Sequence, residues 1–357
     1  MTTNTINIDI EKATKSKLSE TDFSNLEFGA VYSDHMFVAD YKKGEWVKPK
    51  ITPFQNLSMS PATSVLHYGQ TVFEGMKAHR ADNGDILIFR PQAHHQRMNA
   101  SCRRLCMAET SEELFMEGLV ELVKLDRNWI PSLEGCSLYI RPFMYASDEF
   151  IGVKPSSSYK FIIFTSPVSG YYKGTVKVIV EPEFVRAAEG GIGFAKTGGN
   201  YAASLLPAKL AVEKGYQQIL WTDSKEHKYF EESGTMNVMF VIDDVLITPP
   251  LSSSILAGIT RDSILTLAKD WGVKVEERKV SIDEVVSALE NNKLQDAFGT
   301  GTAATITHIS VINNKGKDYE LPHISTRKLS NKLNETLMDI KHGKAEDKYN
   351  WIYRIKA

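Results

Sequence analysis

The chain has little cysteine. Cys102, Cys106 and Cys136 are its only three thiols in 357 residues. That is too few for a disulfide-stapled secreted fold, so the expected setting is reducing and cytoplasmic. Cys102 and Cys106 stand four apart, a spacing that suits one helix face and predicts a packed thiol pair rather than a metal site. Long apolar runs are also missing. None approaches the roughly 20 residues needed to span a bilayer. The opening "MTTNTINIDIEKATKSKLSE" has no apolar core of the signal-peptide kind, and its Asp9, Glu11 and Glu20 argue against a transit peptide. Neither sign of charge dominates: 42 Lys and Arg face 44 Asp and Glu, for a net charge of −2. Nothing in that balance favours nucleic acid or an anionic membrane as partner.

What is present describes a globular chain, not a disordered one. Apolar residues make up 42% and charged residues 24%, and the length exceeds one ordinary core, so two domains are expected. "ADNGDILIFRP" reads as an Asn83-Gly84 hairpin turn leading into a strand that ends at Arg90-Pro91. "PQAHHQRMNASCRRLCM" then reads as a helix with proline in its first turn. His94 and His95 are adjacent and point apart, which argues against a shared metal. "ELFMEGLVELVKLDRNWI" is a core helix by its spacing, and "SLYIRPFMY" and "YKFIIFTSPV" are strands. The Pro-, Ser- and Gly-bearing "SPVSGYYKG" marks a boundary. Residues 1–166 are expected to form a smaller N-terminal α/β domain, 167–176 a linker and 177–357 a larger C-terminal domain. Strands and helices mix in both, so the class is α/β of the α+β type.

Four features of the second half ask for one chemistry. Lys196 stands among glycines in "GFAKTGGNYAASLLPAK", where small neighbours let a bulky group approach the backbone. In "YFEESGTMNVMF", Glu231 and Glu232 point to opposite strand faces, so one faces inward. "LAGITRDSILTLAK" starts a helix expected to be capped by Thr260, with Gly258 before it, leaving N–H groups for an anion. "AFGTGTAATITHI" matches G-x-G-x-x-A at Gly299, Gly301 and Ala304. However, it continues in strand-forming residues rather than a helix, which rules out the dinucleotide fingerprint and suits a second phosphate-wrapping turn. A lysine, an inward carboxylate and two phosphate-cradling turns are what pyridoxal 5′-phosphate requires.

With these motifs in view, the sequence resembles the branched-chain-amino-acid aminotransferases, fold-type IV pyridoxal-phosphate enzymes. The resemblance runs from "FGAVYSDHMFVADY" to "WIYRI". It is carried by "QTVFEGMKAHR", "IFRP", "SLYIRPF", "AKTGGNY", "EESGTMNVMF", "GITRDSIL" and "FGTGTAATI". It implies a two-domain architecture with the cofactor at the domain interface and the Schiff base on Lys196. The same resemblance puts Glu232 on the ring nitrogen, Tyr201 on the phenolic oxygen, and Arg90, Ile259, Thr260 and Thr302 on the phosphate. For the substrate it implies aromatic walls from Phe28, Tyr68, Phe73, Tyr139 and Tyr171, with Arg141 and Tyr68 near the acidic group of 2-oxoglutarate. Thr235, Thr302 and Ala303 place the α-carboxylate, and Val153 comes from a neighbouring subunit, implying a homodimer. Some eukaryotic relatives carry a Cys-x-x-Cys after the G-T-A turn. Here those places hold Ala304 and Thr307, which speaks against a thiol switch.

The implied reaction is reversible ping-pong amino transfer between L-leucine, L-isoleucine or L-valine and 2-oxoglutarate, with Lys196 as proton shuttle. D-amino-acid aminotransferase and aminodeoxychorismate lyase are the rivals within the fold type. A non-catalytic vitamin-binding protein is the rival outside it, although storage needs no electron-sink carboxylate.

Overall fold

The computed structural model describes residues 6–169 and 174–357. Its strands are β1 (Asp9–Ile10), β2 (His35–Lys42), β3 (Glu45–Pro53), β4 (Thr71–Phe73), β5 (Met76–Arg80), β6 (Ile86–Phe89), β7 (Ser137–Ala146), β8 (Tyr159–Val168), β9 (Val176–Val180), β10 (Gln218–Thr222), β11 (Phe230–Ser233), β12 (Met236–Ile242), β13 (Val245–Thr248), β14 (Val275–Glu277), β15 (Leu294–Gly301), β16 (Thr305–Asn314), β17 (Lys317–Glu320) and β18 (Ile352–Ile355). Its α-helices are α1 (Val65–Tyr68), α2 (Pro91–Arg104), α3 (Glu112–Leu125), α4 (Gly198–Ala203), α5 (Leu205–Glu213), α6 (Ile259–Asp270), α7 (Ile282–Glu290) and α8 (Lys328–His342).

The chain divides into two compact units. The first holds the described residues up to 169 together with Ala195–Gly198 and Asp339–Ala357; the second holds those from 174 to Phe194 together with Gly199–Met338. In the first, a nine-stranded sheet runs β1-β3-β2-β8-β7-β5-β6-β18, with β4 added to β7. The expected hairpin is there: β5 and β6 pair antiparallel, and Gly84 in their turn has φ +86°. Helix α2 opens on Pro91. Helix α3 buries Phe115, Leu119, Leu122 and Val123 against the sheet, as its spacing requires. Ser111 caps it by accepting the Leu114 N–H.

In the second unit, β11-β10-β9-β16-β15-β12 closes on itself through the β11–β12 pairing, making a barrel-like sheet extended by β13, β14 and β17. Asp243 and Asp244 both take positive φ in the turn from β12 to β13. The 297–309 stretch is strand, turn and strand, β15 pairing antiparallel with β16.

Three local expectations change, and one helix cap is only half formed. Helix α6 is capped by Gly258, not Thr260, which lies buried inside the first turn. A Cβ at Gly258 would sit 1.9 Å from the Asn237 side-chain oxygen, so no serine, threonine or aspartate fits there. Ser281 caps α7 through the Glu284 N–H, but the Glu284 carboxylate turns to Arg278, completing only half of a capping box. Cys102 is buried while Cys106 is exposed at φ +52°, beyond the end of α2, so the two thiols are not a packed pair. The last residues, expected in the second domain, join the first unit because β18 pairs with β6 from Ile352↔Phe89 to Ile355↔Ile86. The expected 167–176 linker falls partly on 170–173, which lie outside the described residues.

Candidate active site

The nominated residues divide between the two units, and each set has its own geometry. In the first unit, β4 and β7 bring Phe73 opposite Phe143. Along β7, side chains of alternate residues share a face, so Tyr139, Arg141 and Phe143 point the same way. Arg141 donates to the Tyr139 hydroxyl at 3.0 Å and lies 4.6 Å over the Phe73 ring and 5.3 Å over the Tyr139 ring. Phe28 meets Tyr139 edge-on at 5.0 Å. Gly75 makes this packing possible: a Cβ there would stand 2.0 Å from the Tyr139 hydroxyl.

Lys196 belongs to this cluster. Its Nζ lies 4.8 Å over the Phe73 ring, a cation–π contact. Its backbone is tied on both sides. The Lys196 N–H donates to Ser101 Oγ at 2.9 Å, and the Lys196 carbonyl accepts the Phe73 N–H at 3.0 Å. The neighbouring Thr197 hydroxyl donates to the Thr71 carbonyl at 2.7 Å.

Behind Phe73 lies an arrangement that sequence reasoning missed. The Glu74 carboxylate is fully buried, accepts from His94 Nδ1 at 2.6 Å and from Arg97 at 2.7 and 2.8 Å. Burial raises its pKa, but the Arg97 and His94 charges and hydrogen bonds outweigh that and hold it far below the usual carboxylate range. Burial pushes the His94 pKa down and outweighs the upward pull of the Glu74 charge and hydrogen bond. His94, Arg97 and Ser101 recur at helical spacing, so one face of α2 holds both Glu74 and the lysine backbone. Arg90 precedes that helix at φ +51°, its guanidinium 5.5 Å over the Trp351 ring. Tyr68 is 41% and Val153 92% exposed, so neither joins this cluster. Tyr171 lies outside the described residues.

In the second unit, Glu232 on β11 is the inward carboxylate, 3% exposed, as the strand alternation required. Its Oε1 accepts from Asn237 at 3.1 Å and from the Leu256 N–H at 2.9 Å, and its Oε2 pairs with Arg186 Nε at 2.8 Å. Arg186 and Asn237 carried no sequence signal: their partners lie on other strands and loops. Glu231 turns the other way and accepts from Ser254; burial raises its pKa. Glu232, Arg186, Asn200, Tyr201, Ser204, Gly234, Thr235 and Leu256 line one small cavity. Ile259 and Thr260 form the start of α6, where the N-cap glycine brings no side chain to the first turn. Thr302 and Ala303 are half-buried in the turn between β15 and β16.

These two sets, a lysine over the Phe73 ring and a charge-paired carboxylate lining a cavity with Tyr201, suit an enzyme of the amino-transferase type. The chain belongs to the class IV amino-transferase family, whose model matches residues 71–312. Over its whole length it is 46% identical to branched-chain-amino-acid aminotransferase 2 of Bacillus subtilis, covering 99% of that protein. Its fold is similar to the crystal structure of the Escherichia coli branched-chain amino acid aminotransferase, with TM-score 0.73, 28% identity and coverage of 88% and 98% of the two chains. It is also similar to the T.th. branched-chain amino acid aminotransferase complexed with N-(5′-phosphopyridoxyl)-L-glutamate, with TM-score 0.71, 27% identity and coverage of 89% and 97%.

Proposed function

We propose that the protein is a branched-chain-amino-acid aminotransferase, interconverting L-leucine, L-isoleucine or L-valine plus 2-oxoglutarate with the branched 2-oxo acid plus L-glutamate. The observation that carries this reading is Arg141 folded onto Phe73 and Tyr139. One wall thus offers apolar area to an aliphatic chain and a guanidinium to an acidic one, and a ping-pong transaminase must receive both.

The donor set fits pyridoxal 5′-phosphate. A protonated ring nitrogen needs a buried carboxylate, and Glu232 is held as one by Arg186, Asn237 and the Leu256 N–H. The cavity that Glu232 lines also presents Tyr201, suited to a phenolic oxygen. Helix α6, twelve residues long with a glycine at its N-cap, suits a phosphate at Ile259 and Thr260, with Thr302 and Arg90 as further donors. When bound, this cofactor supplies the electron sink that lets the substrate α-carbon give up its proton.

The chain's own groups do the rest. Lys196 Nζ would hold the cofactor through its amine, and as a free amine it would take the substrate α-proton and return it. Phe73, Tyr139 and Phe28 exclude water and hold the aliphatic chain, and Arg141 receives the distal carboxylate of 2-oxoglutarate. Thr235, Thr302 and Ala303 orient the α-carboxylate.

The working form is a homodimer in the cytoplasm. Leu66, Phe150, Ile151 and Val153 are 59%, 47%, 66% and 92% exposed in the first unit, more apolar surface than a monomer comfortably shows. A partner copy explains it, and Tyr68 and Val153 then serve a neighbouring site. Among the described residues no helix is long and apolar enough to cross a membrane. Mixing the purified protein with L-leucine and 2-oxoglutarate tests the activity. L-glutamate and 4-methyl-2-oxopentanoate should form in equal amounts with parallel-line kinetics, and no glutamate would reject the assignment.

A further inference from the structure

Away from these residues, the first unit collects four basic side chains at one place. Lys77 and His79 alternate on β5, so both project from the same face of the sheet. Lys341 and His342 end α8. The His79 and His342 rings lie 4.4 Å apart, and Lys341 Nζ stands 5.0 Å over the Phe89 ring. His79 is 4% and Lys341 5% exposed. Both ring nitrogens of His79 are buried and make no hydrogen bond.

That arrangement is costly as it stands. A buried ring N–H without an acceptor gives up its hydration with nothing in return. The groups acting on His79, after burial itself, are His342, Lys341 and Lys77, and each pushes its pKa down. Burial brings Lys77 down to about 8, and burial with the Lys77 charge brings Lys341 down to about 7. The last turn of a helix favours basic residues, which accounts for Lys341 and His342 being on α8. It does not account for Lys77 and His79 being directed at them from a strand, nor for the bare imidazole.

We propose that Lys77, His79, Lys341 and His342 form a binding site for a small oxyanion. Such an anion accepts the His79 N–H, and its charge offsets the lysines by charge-assisted hydrogen bonds. Lys77 and His342 are only half-buried, which leaves the cluster an edge toward solvent. Phe89 backs the site with apolar surface, where such bonds strengthen. None of these residues is used by the proposed transamination, so this site stands apart from that reading.

The test uses cofactor-loaded protein, so that the phosphate-binding turns are already filled. Sulfate and acetate are titrated separately at constant ionic strength and pH 6.5, with binding followed by calorimetry. Saturable binding of one anion per chain is expected. Sulfate binding alone marks the occupant as inorganic and multiply charged, and acetate binding at similar strength marks it as a free carboxylate. His79→Phe and, separately, Lys341→Met should each weaken binding at least tenfold. In a crystal grown with bromide, an anomalous peak should fall among the four side chains. Absence of saturable binding, or binding unchanged in both variants while each remains folded by circular dichroism, overturns the proposal.

Discussion

Lys196 and Phe73 are joined twice: the lysine Nζ lies 4.8 Å over the phenylalanine ring, and the Phe73 N–H donates to the Lys196 carbonyl at 3.0 Å. The backbone bond sets where the side chain starts, and the ring sets where the amine rests. Lys196→Ala should abolish the bound-cofactor absorption band near the visible, because no other amine occupies this position. Phe73→Leu should keep the band but lower kcat/KM for L-leucine about tenfold or more, the worth of one lost aromatic contact in an apolar pocket. Spectra and steady-state rates of the two variants separate these roles.

Glu74 should be a stability residue as well as a support for Phe73. Glu74→Gln leaves Arg97 and His94 beside a neutral amide in a dry site, at a cost of about 3–5 kcal/mol. Denaturant unfolding should show it. The sign with pH follows from the direction of the shift. The folded pKa lies below the unfolded one, so the stabilisation is complete above the ordinary Glu range and declines only as pH falls toward the depressed folded value.

His308 predicts a slope at milder pH. It is buried against Ser330 at 2.9 Å, and burial together with the Arg327 charge brings its pKa from 6.5 to about 4. The unfolded chain therefore binds more protons between those values, and stability falls as pH drops from 6.5 toward 4. His308→Gln should flatten that part of a stability–pH curve. An unchanged slope would place the titrating group elsewhere.

The visibility of these features in the sequence followed from how local their causes are. Lys196 could be read because its glycines are adjacent to it, and Glu232 because a strand alternates. The hairpin at Asn83-Gly84 and the helix at Pro91 rest on residues next to one another. Glu74 and His94 are twenty positions apart, on a strand and a helix, and nothing near either announces the other. The same holds for Glu232 and Arg186. Thr260 was a sound cap by residue type, but Gly258 won because Asn237 fills the space a larger cap needs. Cys106 was expected on a helix that ends two residues earlier.

Gly75→Ala should damage the wall directly. The added methyl would stand 2.0 Å from the Tyr139 hydroxyl, so the tyrosine must move. Overpacking of this kind costs about 1–3 kcal/mol. The melting temperature should fall, and KM for L-leucine should rise more than kcat falls. A normal KM would show that Tyr139 does not touch substrate.

Glu232→Gln should retain cofactor and lose about two to three orders of magnitude in kcat, the scale of removing one aligned charge from a reacting centre. Equilibrium dialysis and turnover measured on the same preparation distinguish binding from catalysis. A near-normal kcat would move the role to Glu231.

The central claim is that the site selects branched L-amino acids, and competition for turnover tests it most directly. With 2-oxoglutarate as acceptor, kcat/KM is measured for L-leucine, L-isoleucine, L-valine, L-alanine and D-alanine. Each missing methylene costs about 1–3 kcal/mol in an apolar pocket, so the branched substrates should exceed L-alanine by roughly a hundredfold or more. D-alanine should be inert. Comparable kcat/KM for L-alanine and L-leucine, or turnover of D-alanine, would contradict the account.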